Sequence, residues 1–327
     1  MGAADRPRGE IAKQLMLAAL GVARGDNPIR RIRKVLRLLS VAPPAAVRAD
    51  RDLLDVGFRA VRLPSLAEAP GPTCLFVAFA PDGRIWDHTL RYCADLRRLG
   101  LKVVLIAVTD RPDLQCRDPG AEVADALVVR ENHGYDFAAW AATLRYMPEL
   151  LEAPDLWFAN DSVYHATGAL EALAARIRAG TADAFALTES LEIQPHFQSY
   201  FFVLRAPALA APAVRAFWAA IASRGDKNEI IRDYEVGQRA MLEGAGLRVD
   251  ILFKDKGAHR NQLQLGWREL LAEGFPFVKV ELLRDNPYGA DLAGWREVLA
   301  GAGFDVPEIA FHLGARADGA AGLLELR

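Results

Sequence analysis

The sequence predicts an α/β protein: a mostly parallel sheet flanked by helices, preceded by an N-terminal helical extension. Two observations predict it. Cys74–Ala80, Lys102–Val108, Ala126–Arg130 and Leu156–Ala159 are short, nearly unbroken apolar runs, as expected for strands covered on both faces. Helical patterns lie between them, so strand, helix and strand repeat at the spacing of a parallel sheet with right-handed crossovers. With 327 residues, 52% of them hydrophobic and 25% charged, the chain has the apolar content for a full core.

In chain order, residues 1–70 read as a basic amphipathic region with a linker, and residues 71–327 as the main domain. From Pro28 to Val41, Ile29, Ile32, Val35, Leu36 and Leu39 alternate with Arg30, Arg31, Arg33, Lys34 and Arg37, a basic amphipathic helix that ends before Pro43-Pro44. Two roles are open for residues 28–41: resting on anionic lipid, at ~1 kcal/mol per basic residue, or packing on the main domain with a solvated basic face. Pro64 to Pro72 separates this region from the first core strand, Cys74–Ala80. Pro81-Asp82-Gly83 turns the chain, and Trp86–Leu99 reads as a helix closed by Gly100. Lys102–Val108 is the second strand and stops at Thr109-Asp110. Ala126–Arg130 is the third, Phe137–Met147 the next helix, and Leu156–Ala159 the fourth strand, running into Asn160-Asp161-Ser162. Further on, Phe185–Leu187, Tyr200–Leu204 and Leu247–Phe253 read as strands, and Pro212–Arg224 and Tyr234–Glu243 as helices.

Several function classes lose their support. The net charge of -2 gives no electrostatic footprint for nucleic acid. P-loop, dinucleotide, zincin and hydrolase-elbow signatures are absent from the sequence. The six histidines have no two at ligand spacing on one helix. Cys74, Cys93 and Cys116 form no CxxC pair and read as thiols in a reducing compartment. No signal-peptide pattern is evident, and no run approaches the ~18–20 apolar residues that span a bilayer. The expectation is a cytoplasmic protein, at most peripheral to the inner face of the plasma membrane.

Ligands of open parallel sheets sit beyond the carboxyl ends of the strands, and Asp110, the Asn132–Asp136 loop and Asp161 fall there. In that loop Gly134 permits close backbone approach, and Asn132 and Asp136 offer short polar side chains; the same residues also suit a capped turn, with Asp136 as N-cap. Asp161 follows a buried strand, where a carboxylate can hold Mg²⁺ or Mn²⁺ against a diphosphate. Gln198 and Ser199, at the entry to an aromatic strand, are candidates for recognising acceptor hydroxyls. Glu235, expected at a helix start, reads either as favourable charge at the helix dipole or as a general base.

Taken together, "RENHGYDFAAW", "LWFANDSVYHATGALEALAARI", "HFQSYFFVLRAPAL", "YEVGQRAMLEGAG" and "FPFVKVELLRDNP" resemble the rhamnan synthesis F family, over roughly residues 73 to 313. The resemblance implies a GT-A-like, Rossmann-type glycosyltransferase acting in bacterial surface polysaccharide synthesis. It implies a nucleotide-sugar donor, with dTDP-L-rhamnose favoured, and a glycan or lipid-linked glycan acceptor. Asn160-Asp161-Ser162 stands where many GT-A enzymes carry Asp-x-Asp, so Asn160, Asp161 and Ser162 are implied in donor and metal binding, but only one carboxylate is kept. Asp110 matches an acid that contacts the base or ribose, Glu235 the base of inverting members, and His312 a residue near the diphosphate and metal. In this reading Asp161 and Glu235 are catalytic, and Asp110, Asn132, Gly134 and Asp136 also line the donor. A non-catalytic sugar-nucleotide-binding or scaffold protein on the same fold is the alternative, favoured by the missing second acid.

Overall fold

The computed structural model describes residue 53 and residues 57–63, 70–191, 195–254 and 261–315. The expected basic helix at 28–41 lies outside them. Among the described residues no helix is long and apolar enough to cross a membrane.

Four strands form the parallel centre: β2 (Thr73–Phe79), β3 (Lys102–Thr109), β4 (Ala126–Glu131) and β5 (Asp155–Asn160), in the order β4-β3-β2-β5. They are buried almost end to end, which is why the sequence shows apolar runs rather than alternation. The crossovers are α1 (Asp87–Arg98), between β2 and β3, and α2 (Tyr135–Tyr146), between β4 and β5. Outside this centre pairing turns mixed. β1 (Phe58–Arg62) lies antiparallel on β4, so the sheet takes in residues that the sequence pattern leaves in the linker. On the far side β9 (Phe201–Arg205) runs antiparallel to both β5 and β7 (Ala184–Ser190), the short β8 (His196–Phe197) pairs antiparallel with the end of β7, and β10 (Val249–Phe253) closes the order parallel to β7. The result is a large, mostly parallel sheet flanked by helices.

Each strand divides its side chains between two cores. Leu156 and Phe158 of β5, with Phe202 and Leu204 of β9, face α2, α4 (Pro212–Ala220) and α5 (Val236–Gly244). Trp157, Ala159, Phe201 and Val203 face α1 and α3 (Ala169–Ala179). At the β5–β9 seam, Phe158 stacks on Phe202 at 4.4 Å and on Trp218 at 4.9 Å. Trp140 meets both phenylalanines edge-on, at 5.4 and 5.6 Å. Such ring pairs are worth ~0.5–1.5 kcal/mol each beyond their buried area, and they fix the seam on which the site stands.

A two-stranded ribbon, β6 (Val163–His165) against β11 (Phe277–Lys279), continues directly from the tip of β5. It packs with α6 (Trp295–Gly301) and α7 (Val306–Ala315) around a third core. The sequence periodicity does not reveal this ribbon, because three-residue strands are too short to show a period.

Candidate active site

The site assembles at the carboxyl edge of the sheet, from β3 across to the helix that carries Glu235. β3 ends in a buried Thr109 and releases Asp110 into solvent, where its Oδ1 accepts a hydrogen bond from Asn132 Nδ2 at 2.9 Å. Two residues singled out separately in the sequence therefore meet.

The Asn132–Asp136 loop is built from beneath. Arg130, fully buried at the end of β4, donates from Nη1 to the His133 carbonyl at 2.9 Å. Ser223 Oγ also donates to that carbonyl, at 2.9 Å, and lies 2.7 Å from His133 Nδ1. A hydroxyl has one proton, so both contacts are met when Nδ1–H donates to Oγ and Oγ–H donates to the carbonyl. Gly134 adopts φ +85° and caps α2, and a Cβ there would come within 2.5 Å of both Ala138 Cβ and Ser223 Oγ. The N-cap is thus Gly134, not Asp136. Asp136 sits in the first turn and accepts from Asn160 Nδ2 at 2.8 Å, so it reaches across to β5 instead of capping its own helix.

The β5 tip follows. Asp161 Oδ2 accepts from the Phe79 backbone N–H at 2.8 Å, and the Asp161 N–H donates to the Val77 carbonyl at 3.1 Å, which locks the tip to β2. Asn160 Oδ1 accepts from the Ser162 backbone N–H at 3.1 Å and from its hydroxyl at 2.5 Å. Ser162 Oγ in turn accepts from Lys279 Nζ of β11 at 3.0 Å. Lys279 also lies 5.0 Å from the centre of the Tyr200 ring.

Antiparallel pairing carries the edge onward to the second acid. The Asn160 N–H donates to the Tyr200 carbonyl at 3.3 Å, and next to Tyr200 the buried Ser199 donates to Glu235 Oε2 at 2.5 Å. His196 Nε2 stands 3.7 Å from Glu235 Oε1. The Glu235 side chain is about 20% exposed, within reach of solvent. Its setting differs from the expected helix start: Lys227–Ile230 is already helical, Ile231–Glu235 forms a π-turn, and α5 continues from Val236 with Glu235 itself in helical geometry. The dipole explanation for an acid at this position therefore fails, because no helix begins there. π-turns inside helices frequently mark functional sites, since the extra residue re-aims the side chains around it.

Two candidates take other places. Gln198 Oε1 accepts from Thr188 Oγ1 at 3.1 Å, tying it to β7. His312 is buried in the third core: its Nδ1 lies 2.6 Å from Tyr164 Oη, and its ring packs on Trp86 and His88 at 4.7 and 4.3 Å. Among the described residues no group of three or more His, Cys, Asp or Glu could hold a metal ion. Around Asp161 the donor set does not suit Mg²⁺ or Mn²⁺: one carboxylate oxygen is engaged by Phe79 N–H, the Asn160 and Ser162 oxygens are already bonded, and an ammonium stands beside them.

A cavity of about 450 Å³ opens at the Asp110 end of the edge, lined by Asp82, Gly83, Arg111, Cys116 and Arg117 with Arg59 and Val61 of β1. The lining holds three arginines and one aspartate, and although Arg111 is bonded to Asp113 at 2.9 and 2.6 Å the balance stays positive, which suits an anionic ligand. Arg62 of β1 grips Asp118 through two bonds of 2.9 Å and holds the loop after β3 beside this cavity. Burial pushes the Cys116 thiol up to about 11, with Asp118 and Asp82 adding to the effect, so it is a poor nucleophile.

Of the residues in this edge, Arg130, His133, His196, Ser223 and Lys279 escape sequence reasoning. Arg130 carries a readable signal, since a charged residue ending a buried strand needs a buried partner. Ser223 and Lys279 carry none, because only the fold brings them here.

A family model described as "Rhamnan synthesis protein F" matches residues 114–293. Two sequences of "Virulence protein VirA" from Vibrio anguillarum are each 28% identical over 207 residues, covering 51% of this chain. The chain spans 65% of the length of those relatives.

Proposed function

Because this chain belongs to the rhamnan synthesis protein F family, we propose that it is a glycosyltransferase of bacterial surface polysaccharide synthesis, transferring L-rhamnose from dTDP-L-rhamnose to a growing glycan. The observation that carries the reading is the seam between β5 and β9. A backbone bond joins Asn160 to Tyr200, and the neighbours on either side, Asp161 and Ser199–Glu235, therefore share one edge of the sheet.

In this reading the acceptor hydroxyl attacks the anomeric carbon while Glu235 takes its proton, with inversion. Ser199 holds one carboxylate oxygen and leaves Oε1 toward His196 and the acceptor. At the other end Asp110, fixed by Asn132, contacts the ribose, and the arginine-lined cavity receives the nucleotide. Asp136, Asn160 and Ser162 form the bonded floor beneath the sugar and diphosphate.

The test is turnover of dTDP-L-rhamnose, read as dTDP release, with UDP- and GDP-sugars as comparison. We expect saturable release with the thymidine donor. Asp161→Asn should keep the fold and reduce donor affinity or turnover at least about tenfold. No release from any of these donors refutes the enzyme reading and leaves the non-catalytic alternative.

A further inference from the structure

The β6–β11 ribbon puts a fixed positive charge where the GT-A pattern would put its second carboxylate and metal. Lys279 ends β11, is half-buried, and directs its ammonium onto Ser162 Oγ at 3.0 Å, one residue beyond Asp161. Two features hold it there. Backbone pairing locks Lys279 opposite Val163, and the Val280 N–H donates to the Ser162 carbonyl at 3.0 Å, so the stem starts from a rigid ribbon. The buried Tyr200 ring, 5.0 Å away, offers its face to the cation.

We propose that the Lys279 ammonium, not a divalent cation, neutralises the diphosphate leaving group in this protein, making the transfer metal-independent. The inference rests on the glycosyltransferase reading above. An ammonium is a compact charge with rotatable donors; Ser162 Oγ accepts from it, and that bond would hold the charge at the β5 tip, facing the phosphate oxygens of the donor. A divalent cation at the same tip would have to approach Lys279 against like charge and share the one carboxylate already bonded to Phe79 N–H. Asn160 and Ser162 follow from the same arrangement: Asn160 Oδ1 takes the Ser162 hydroxyl proton and so leaves a lone pair of Oγ for the ammonium, whereas the metal-binding pattern needs acids. In the transfer, the acceptor oxygen forms its bond to the anomeric carbon and its proton passes to Glu235. The bond from that carbon to the phosphate oxygen breaks, and its electron pair stays on the nucleoside diphosphate beside Lys279. The charge is in place before the reaction, so no reorganisation is needed as the leaving group develops its own.

The experiment titrates dTDP, UDP and GDP into the full chain by calorimetry, first in EDTA and then in Mn²⁺, and repeats the titration with Lys279→Met and Lys279→Arg. The wild type should bind one nucleotide with Kd values within about threefold in the two buffers. Lys279→Met should weaken that binding at least about tenfold in both, and lower nucleotide release from the matching rhamnosyl donor by about 10²–10³-fold, as for loss of a preorganised transition-state contact. Lys279→Arg, which keeps the charge, should restore most of the affinity. Circular dichroism melting confirms that the variants fold, and the EDTA arm needs no variant. Wild-type binding or turnover abolished by EDTA overturns the proposal, as does Lys279→Met binding like wild type. If the wild type binds none of the three nucleotides in either buffer, the transferase reading itself falls and takes this inference with it.

Discussion

Glu235→Gln separates chemistry from architecture. Glutamine keeps the volume, and its carbonyl oxygen can still accept the Ser199 hydroxyl that holds Oε2 at 2.5 Å. What it loses is the negative charge, whose neighbour His196 Nε2 is 3.7 Å away, beyond hydrogen-bond distance, while the carboxylate is about 20% exposed. Partly screened pairs of this kind contribute at most ~1 kcal/mol, so the urea midpoint should shift little. Loss of a general base costs about 10²–10⁴-fold in turnover, which at 1.36 kcal/mol per decade is about 3–5 kcal/mol on the barrier. The two effects therefore differ by several-fold and can be read apart. The assay is dTDP release with acceptor glycan present, alongside dTDP binding by calorimetry. We expect the turnover loss with unchanged nucleotide affinity. Turnover within about threefold of wild type would refute the base assignment, whatever happens to stability.

Gly134→Ala should be strongly destabilising. The residue would be forced into the left-handed region at φ +85°, at ~1–2 kcal/mol, and its Cβ would collide with Ala138 and the Ser223 backbone at 2.5 and 2.9 Å, which adds ~1–3 kcal/mol. Urea unfolding should therefore lose about 2–5 kcal/mol; a loss below about 1 kcal/mol would show that the loop can move aside. The Arg62–Asp118 pair predicts a pH signature. The Arg62 hydrogen bonds hold the Asp118 carboxyl below its usual range. A depressed acid contributes its stability above the unfolded carboxyl value of about 4 and loses it as pH falls through the folded value. The pair is about one-third exposed, so the effect stays under ~1 kcal/mol. Wild type should thus exceed Asp118→Asn in urea midpoint at pH 6, and the difference should vanish by about pH 2; a difference that persists there would rule out the ionic contribution.

The sheet was legible where physics acts locally. Doubly covered strands leave apolar runs, so β2 to β5 stood within a residue or two of where the pattern put them. The carboxyl-edge rule picks out Asp110, Asn132, Asp136 and Asp161 from the sequence; the Asp110–Asn132 bond joins two of them, and Asp136 bonds Asn160, the neighbour of Asp161. What could not be read is whatever depends on contact between distant segments. Ser223 lies ninety residues from the histidine it fixes, and Lys279 lies 117 from Ser162. The helix expected over Pro212–Arg224 stops at Ala220, because the chain must leave it for Ser223 to meet the His133 carbonyl. The π-turn was hidden too, since Tyr234 to Glu243 has an ordinary helical pattern and nothing in composition marks one residue too many.

That surplus residue bears on how such a protein changes over generations. A π-turn is a regular helix carrying a one-residue insertion, so the step that creates it and the step that erases it are each a single codon. Loss of one residue between Ile231 and Tyr234 would let the run from Lys227 to Gly244 close into an uninterrupted ladder. The upstream residues would turn by roughly 100° relative to those downstream. The backbone would gain regular bonding while Tyr234, which packs on Phe137 and accepts a 3.1 Å hydrogen bond from the Ala222 N–H at its hydroxyl, would swing off its seat. Descendants of this chain can thus trade the present aim of this helix for a more regular one in one mutational step, and the trade is equally short in reverse.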